Sequence, residues 1–478
     1  MSDIAEFLDQ QMSRGQGYKL LQGFPPPKLM QDYESDGMFY EGGCKERMVP
    51  YGDNLGGNAH KGLIVGVIPS PYCNPTVEGC GFCTFPHSPY TGANPNLVKK
   101  TLDKIRDEII YTVNILSMNH RKVSSVYLGG GTANIISASQ FEELMGCLRG
   151  ALDISEAELS FEGVPAYFHG RKGDSLLDAM VAQDVGKRRI SMGVQTFDTQ
   201  WLERMGRTHF GSQQTIAEVV ANAHARGMTV SGDFLINLPG QGVDAMMRDM
   251  ETAVGIGFDQ ICVYNLVLFP GIGSKWSQDP EMLARMHPVE TAYQNWLAVR
   301  RMLCEQGYQQ TTLTNFERGA VRFDYEVQSY TLQKYNGLGF GPNAITLLSR
   351  GQSGIKTIME EDYPFVEGRD DGRFKEYVYD ARSLMVMYLA RNLSRGYVHF
   401  ADFAEDPRNH FQDEFALLEE RGLAYVNETS LTLTERGMFF ADAIIALIAK
   451  QEINYLKSLE RRVIHLKKDD YEYSGGGM

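Results

Sequence analysis

Three of the chain's seven cysteines fall within one stretch, PYCNPTVEGCGFC, at residues 71–83. Six residues separate Cys73 from Cys80, and two separate Cys80 from Cys83. Reduced, clustered thiols bind metal or carry out redox chemistry. A structural zinc site wants four ligands, in paired knuckles of the Cys-x-x-Cys kind. The other cysteines, Cys44, Cys147, Cys262 and Cys304, stand far apart, and three of them lie in apolar patterns that suit small buried hydrophobes. A thioredoxin-like role for Cys80 and Cys83 would need a helix to open there, yet Pro86 and Pro89 follow closely. Three loop thiols without a fourth suit an iron–sulfur cluster with one iron left open. Spacing alone leaves that cluster and a zinc site as alternatives.

Further groups able to do chemistry recur at intervals downstream. Gly129, Gly130, Gly131 and Thr132 follow VSSVYL, Glu162 ends AELSFE, and Gln195 ends RRISMGVQ with Arg207 a little beyond. Asp233 lies in TVSGDFLI, and Asn265 ends QICVYN. Glycines at a strand end let backbone approach a ligand, because no Cβ stands in the way, although a plain tight turn would use them too. GLGFGPNA at 337–344 has the wrong spacing for a dinucleotide fingerprint and no βαβ unit around it.

These groups depend on the elements between them. From residue 62 short apolar runs alternate with amphipathic stretches such as NLVKKTLDKIRDEIIYTVNIL and QTIAEVVANAHARG. Ser137 or Ser139 is the expected cap of the helix in SASQFEELMGCLRGAL. Six strand–helix alternations imply a parallel sheet, curved as a barrel or incomplete barrel, with an open doubly wound sheet as the alternative. In a barrel all of the groups above gather at one rim. The expected α/β organisation is therefore a partial (βα)6 TIM-type barrel at 61–285, behind an N-terminal arm at 1–60. A mainly helical C-terminal domain at 286–465 covers the substrate, and a disordered tail occupies 466–478. Helical stretches are expected near 287–306 and 372–395, on either side of a glycine loop, and LTLTERGMFFADAIIALIAK is expected to hold a capped terminal helix.

Bulk properties narrow the partners. The 478 residues are 43% hydrophobic, with 46 basic and 60 acidic side chains and a net charge of −14. That length allows two or three domains. The acidity argues against nucleic acid and anionic membranes as partners. MSDIAEFLDQQMSRGQG has neither the apolar core nor the basic flank of a secretory signal, and no apolar run reaches about 18 residues. A cytoplasmic chain with reduced thiols is expected.

PYCNPTVEGCGFC, YLGGGTANII, SFEGVP, RRISMGVQTFDTQWLERMGRTH, SGDFLINLPGQG, VYNLVLFPG and GLGFGPNAIT occur in that order across residues 62–346. With them the chain resembles the radical S-adenosylmethionine (SAM) enzymes, and among these the oxygen-independent coproporphyrinogen III oxidase group. LTLTERG and its helix resemble that group's C-terminal domain. The resemblance implies that Cys73, Cys80 and Cys83 hold a [4Fe–4S] cluster whose remaining iron takes the amino and carboxylate groups of SAM. It places Phe82 near adenine with the backbone of Phe85 in reach, and Gly129, Gly130 and Gly131 along the methionine amino group. Glu162 and Arg207 would hold the charged methionine end, Asp233 the ribose hydroxyls, and Gln195 would touch the cofactor. An external electron donor of flavodoxin or ferredoxin type is implied as well.

The chain also departs from that group. Its first two cysteines are usually spaced by three residues, and the longer gap here is expected to open room beside the cluster. Val67 and Pro69 stand where coproporphyrinogen oxidases carry Tyr-x-His, and Phe85 where they carry a further cysteine. Both losses weigh against porphyrinogen decarboxylation, as does the acidity, since a tetracarboxylate wants a basic pocket. The branch these departures favour is that of the two-SAM methyltransferases and cyclopropanases. There one SAM yields a radical that takes hydrogen from the methyl of the other, and the methylene radical adds to an sp² carbon of a small-molecule substrate. Gly131, Thr132 and Gln195 would contact the first SAM, and Leu235, Leu266 and Val267 would wall the second. The alternatives are a porphyrin-directed enzyme (coproporphyrinogen dehydrogenase or an anaerobic haem-degrading methyltransferase) and a non-catalytic haem chaperone. Glu317, Tyr325, His399 and Tyr51 are acid–base candidates that read as surface or packing residues.

Overall fold

The computed structural model describes residues 2–17, 23–33, 45–53, 61–74, 76–85, 88–90, 95–170, 174–359 and 374–458. Cys44 and the tail at 466–478 lie outside the described residues. Six apolar runs form strands β1 Gly62–Val67, β2 Ser125–Leu128, β3 Glu158–Gly163, β4 Lys187–Gln195, β5 Thr229–Ile236 and β6 Gln260–Asn265. Each pairs in parallel with the next, because a helical crossover returns the chain to the same end every time. Ser137, Ser175 and Ser212 start three of those helices, their hydroxyls accepting from the backbone N–H of Gln140, Asp178 and Thr215.

The C-terminal half completes the same sheet, which has thirteen strands. Beside β1, Tyr335–Phe340 pairs in parallel. Ile345–Arg350, Ser353–Met359, Phe374–Tyr379 and Gln31–Tyr33 of the arm then follow antiparallel. Beside β6 lie Asn315–Arg318 and Tyr308–Gln310. Helices Val289–Glu305, Ala381–Leu393, Arg408–Glu420 and Ala441–Ser458 cover this region. Two stretches differ from the sequence reading. The glycine loop opens as a strand, and Gly339 permits it, since a Cβ there would stand 2.3 Å from the Ile345 carbonyl oxygen. Residues 374–379 are strand rather than helix, and the helix begins only after Asp380, whose carboxylate caps it. No helix among the described residues is long and apolar enough to cross a membrane.

Alternate residues of β3–β6 put polar groups on one face: Glu158, Ser160 and Glu162, then Arg189 and Ser191, Ser231 and Asp233, Gln260 and Cys262. They bond to one another, with Arg189 donating to Gln260 Oε1 (2.6 Å) and Ser160 Oγ (2.9 Å). A short helix, Asp324–Ser329, fits against this face. Glu158 accepts from the N–H groups of Asp324 and Tyr325 at 3.1 Å each, and Ser125 donates to Gln328 at 2.6 Å. Glu317 and Tyr325 are consequently buried, so of the four acid–base candidates these two are interior packing groups rather than surface ones. His399 and Tyr51 are half-buried.

Burial lifts the Glu158 carboxyl from 4.5 to about 7, against the opposing pull of Arg189. The fold thus keeps a proton that the unfolded chain releases earlier. This contribution to stability is complete below the unfolded value and is lost as pH rises through about 7. Glu158→Gln should flatten the fall in urea midpoint across that window and cost about 1–3 kcal/mol at its acid end, where one backbone donor loses its acceptor. An unchanged pH slope in the variant would show that Glu158 titrates like an exposed glutamate.

Candidate functional site

The cysteine loop lies across the C-terminal ends of the parallel strands. Tyr72–Cys73 pairs with Ser88–Pro89, which closes the loop on itself. Within it Gly79, Cys80 and Gly81 adopt φ of 55°, 50° and 85°. For a cysteine this left-handed backbone costs on the order of 1–3 kcal/mol, which the surroundings must impose. At Gly81 a Cβ would stand 2.0 Å from Trp276 Nε1, so the indole lies directly on the turn.

Each sulfur has a donor. Thr132 Oγ1 donates to Cys73 Sγ at 3.3 Å, Arg207 and Asn74 reach Cys80 Sγ at 3.3 and 3.4 Å, and the Phe85 N–H reaches Cys83 Sγ at 3.4 Å. Burial pushes the Cys73 thiol up and the Cys83 thiol to about 12; the charge of Cys80 adds to the first, and those of Cys73 and Cys80 to the second. Thiolates here therefore call for a cation to neutralise them. Among the described residues no three His, Cys, Asp or Glu side chains gather round a single-ion position. Three thiols, each with its own hydrogen-bond donor, fit an iron–sulfur cluster.

The glycines after β2 bring two backbones together. A Cβ on Gly131 would lie 2.8 Å from the Tyr72 carbonyl oxygen and 3.5 Å from Cys73 Cβ, and the Thr132 N–H donates to that same carbonyl at 3.0 Å. Glu162 accepts from the Tyr127 hydroxyl and the Gly130 N–H. Burial first, then the charge of Asp233, lift its carboxyl to about 7. Asp233 accepts from Ser191 Oγ, 3.2 Å from each carboxylate oxygen. Gln195 has φ of 71° at the register shift that follows Gly193. Asp249 holds that turn by accepting from the Thr196 hydroxyl (2.7 Å) and the Phe197 N–H (2.8 Å). Arg207 is buried, donates to the Gly193 carbonyl as well as to Cys80, and lies 4.8 Å from the Phe210 ring centroid. A Cβ on Gly193 would stand 3.0 Å from Gln195 Nε2 and 3.2 Å from Arg207 Nη2, so those two side chains converge.

Cys73, Cys80, Cys83, Gly131, Thr132, Gln195 and Arg207 thus form one contiguous rim, with Glu162 and Asp233 on the face beneath it. Gly129 serves the turn itself, packed on the Tyr127 ring. Leu235 and Leu266 join Cys80, Trp201, Met205 and Trp276 in an apolar cluster against which Phe82 packs. Phe82 and Trp276 lie 5.9 Å apart. Val267 is half-buried just past β6. Asn265 is engaged elsewhere, accepting from Asn237 and donating to the Gln16 carbonyl of the arm. The long gap between Cys73 and Cys80 opens no room. Asn74 donates to the Met205 carbonyl at 2.9 Å, and a Cβ on Gly206 would meet Val77 Cγ2 at 2.7 Å. Asn74, Tyr127 and Trp276 were not singled out by sequence. Only Asn74 offered a signal, as a polar residue inside the lengthened gap.

Cys73→Ala, Cys80→Ala and Cys83→Ala should each lower bound iron well below the about four atoms per chain expected of a [4Fe–4S] protein, whereas Cys147→Ala should leave it unchanged. Full iron content in Cys80→Ala would exclude the loop as the cluster site. Asp233→Ala and Arg207→Ala each remove a charged hydrogen-bonding group worth about 1.5–3 kcal/mol, so equilibrium dialysis should show SAM binding at least about tenfold weaker. Wild-type affinity in Asp233→Ala would place the nucleoside elsewhere.

Residues 67–253, which carry every rim residue, match the family described as the Radical SAM superfamily. The chain is 23% identical over 389 residues to "Heme chaperone HemW" of Bacillus subtilis, covering 78% of this chain and 96% of that one. It is 24% identical over 306 residues to "Heme chaperone HemW" of Escherichia coli, covering 63% and 74%. Its fold is that of coproporphyrinogen III oxidase (HemN) from Escherichia coli, with a TM-score of 0.67, 18% identity, and 82% and 91% of the two chains covered. The cofactors of the matched family are a [4Fe–4S] cluster and SAM. Three thiols on a strained loop at the ends of the parallel strands lie inside residues 67–253, the segment that matches the Radical SAM superfamily.

Proposed function

We propose that this chain is a radical SAM protein directed at a tetrapyrrole. The observation that carries this reading is the extent of the likeness to the haem chaperones, which runs through 96% of the Bacillus subtilis protein. It reaches well past the cofactor-binding strands into the region that lines the barrel's inner face. The bound cofactors supply hydrogen-atom abstraction once an external donor delivers an electron. Around them this chain's residues exclude water and fix orientation. Leu235, Leu266, Trp201 and Trp276 give the rim an apolar wall. Glu162 and Asp233 present carboxylates to ligand ammonium or hydroxyl groups. Val67, Pro69 and Phe85 in place of the oxidase residues argue against coproporphyrinogen decarboxylation as the reaction. Methylene transfer with two SAM molecules is the second reading. The same apolar cluster favours it, because water must be kept from a methylene radical.

Haem added anaerobically to the cluster-loaded protein should shift the Soret band and saturate, and 5′-deoxyadenosine formation should then depend on the tetrapyrrole. No Soret change with haem or with a porphyrin would overturn the proposal. S-adenosylhomocysteine formed alongside, with deuterium moving from methyl-labelled SAM into 5′-deoxyadenosine, would establish methylene transfer. Binding without any cleavage of SAM would make the chain a carrier.

A further inference from the structure

Two cations are buried side by side between the extended sheet and its covering helix. Lys356 lies on Ser353–Met359 and Arg391 on Ala381–Leu393, and they are 3% and 4% exposed. Lys356 donates to the carbonyls of Gly23 and Pro25, the latter at 2.9 Å. Arg391 Nη1 reaches the Ser329 carbonyl only at 3.5 Å, and its Nε is buried with no partner. Among the described residues neither cation is influenced by a carboxylate. Burial and then the Arg391 charge hold Lys356 at about 7, and Arg391 is surrounded by the phenols of Tyr330, Tyr379 and Tyr325. Two like charges taken out of water without a counter-ion are expensive.

The arm lies over this pair. A Cβ on Gly23 would stand 3.4 Å from Arg391 Nη2 and 3.5 Å from Lys356 Nζ, and Tyr379 donates to the Phe24 carbonyl at 2.7 Å. Carbonyl oxygens thus sit where an anion's oxygens would complete the charge balance. We propose that Lys356 and Arg391 form a carboxylate-binding site, which residues 23–25 of the arm close. A guanidinium edge with a free Nε matches a carboxylate in fork geometry, and the ammonium adds a point charge. Packed side chains run from the site to the cofactor rim. Tyr325, next to Arg391, stacks on Tyr127 with ring centroids 4.9 Å apart, and Tyr127 donates to Glu162. The ligand that this pair of cations selects is a carboxylic acid. Its identity as a tetrapyrrole acid rests on the function proposed above. The chain's net acidity does not oppose it, since the basic groups are local.

The test uses three probes on the cluster-loaded full chain: glutarate, mesoporphyrin IX, and mesoporphyrin dimethyl ester. Glutarate should raise the melting temperature of the wild type over chloride at equal ionic strength, and the raise should vanish in Lys356→Met and Arg391→Lys. The porphyrin acid should bind at least about tenfold tighter than its ester, as expected for one lost charge-assisted contact, and the difference should collapse in the same variants. Arg391→Lys keeps the charge and loses the fork, so it guards against a variant that merely misfolds. A glutarate effect abolished by the variants, with no porphyrin binding, would keep the carboxylate site and remove the tetrapyrrole. Porphyrin acid and ester binding alike to wild type and variants, with no glutarate effect, would overturn the site and keep the tetrapyrrole. No response to any probe would overturn both.

Discussion

A guanidinium withdrawn from water, that of Arg189, sets the terms for the inside of this barrel. It spans three strands by bonding Ser160 and Gln260 from its own place on β4, and the Phe323 ring centroid lies 3.6 Å from it. Glu158 and Glu162 are both held down by its charge against the burial that lifts them. Stripping one member from such a buried ionic set costs roughly 3–5 kcal/mol, so the interior is committed to staying polar. The wall that closes it must be polar too. Residues 315–328 accordingly attach through Asn315, Glu317 and Gln328, which accept from Cys262, Gln260 and Ser125, beside the stack of Tyr325 on Tyr127. Residues 315–328 thus line the barrel's inner face.

The rim obeys the opposite rule. There the chain puts two of its three tryptophans, Trp201 and Trp276, with Met205, Leu235 and Leu266 around Cys80, and lets Arg207 and Asn74 supply the hydrogen bonds that sulfur needs. A dry rim over a polar interior concentrates the field of Glu162 and Asp233 toward the one end that a charged cofactor can approach. The strained Cys80 backbone belongs to the same arrangement, because the indole on Gly81 leaves the turn no relaxed alternative.

The parallel strands, their order and the rim positions were legible in sequence because periodicity and strand-end chemistry are local signals. Ser137, one of two candidate caps, is the one the helix uses. The strand Tyr335–Phe340 was not legible. Its two glycines read as a loop, and only the neighbouring Ile345 backbone explains why Gly339 is needed. Lys356 was hidden for a different reason. In SGIKTIM it has the look of a solvent-facing charge in an alternating strand, and its burial depends on a helix and an arm distant in sequence. Net charge could not reveal that burial either, since a sum over all side chains says nothing about where two of them lie. The lengthened cysteine gap was seen but misjudged, as its extra residues are spent on Met205 and Gly206.

The pairing of Tyr335–Phe340 with β1 has a consequence for how the chain is made. Leu63, Ile64 and Val65 are fully buried in the finished sheet, yet one edge of their strand stays unpaired until more than half the chain has followed it. An unprotected apolar edge is a template for pairing with other chains, and long-range strand pairing is slow because loop closure must come first. The ribosome delivers about 5–20 residues per second, so the edge is exposed for many seconds during each synthesis. Expression at low temperature with excess chaperone, or a slower translation rate, changes who meets that edge first. Yield of folded protein is thus governed by the nascent chain as much as by the stability of the barrel it becomes.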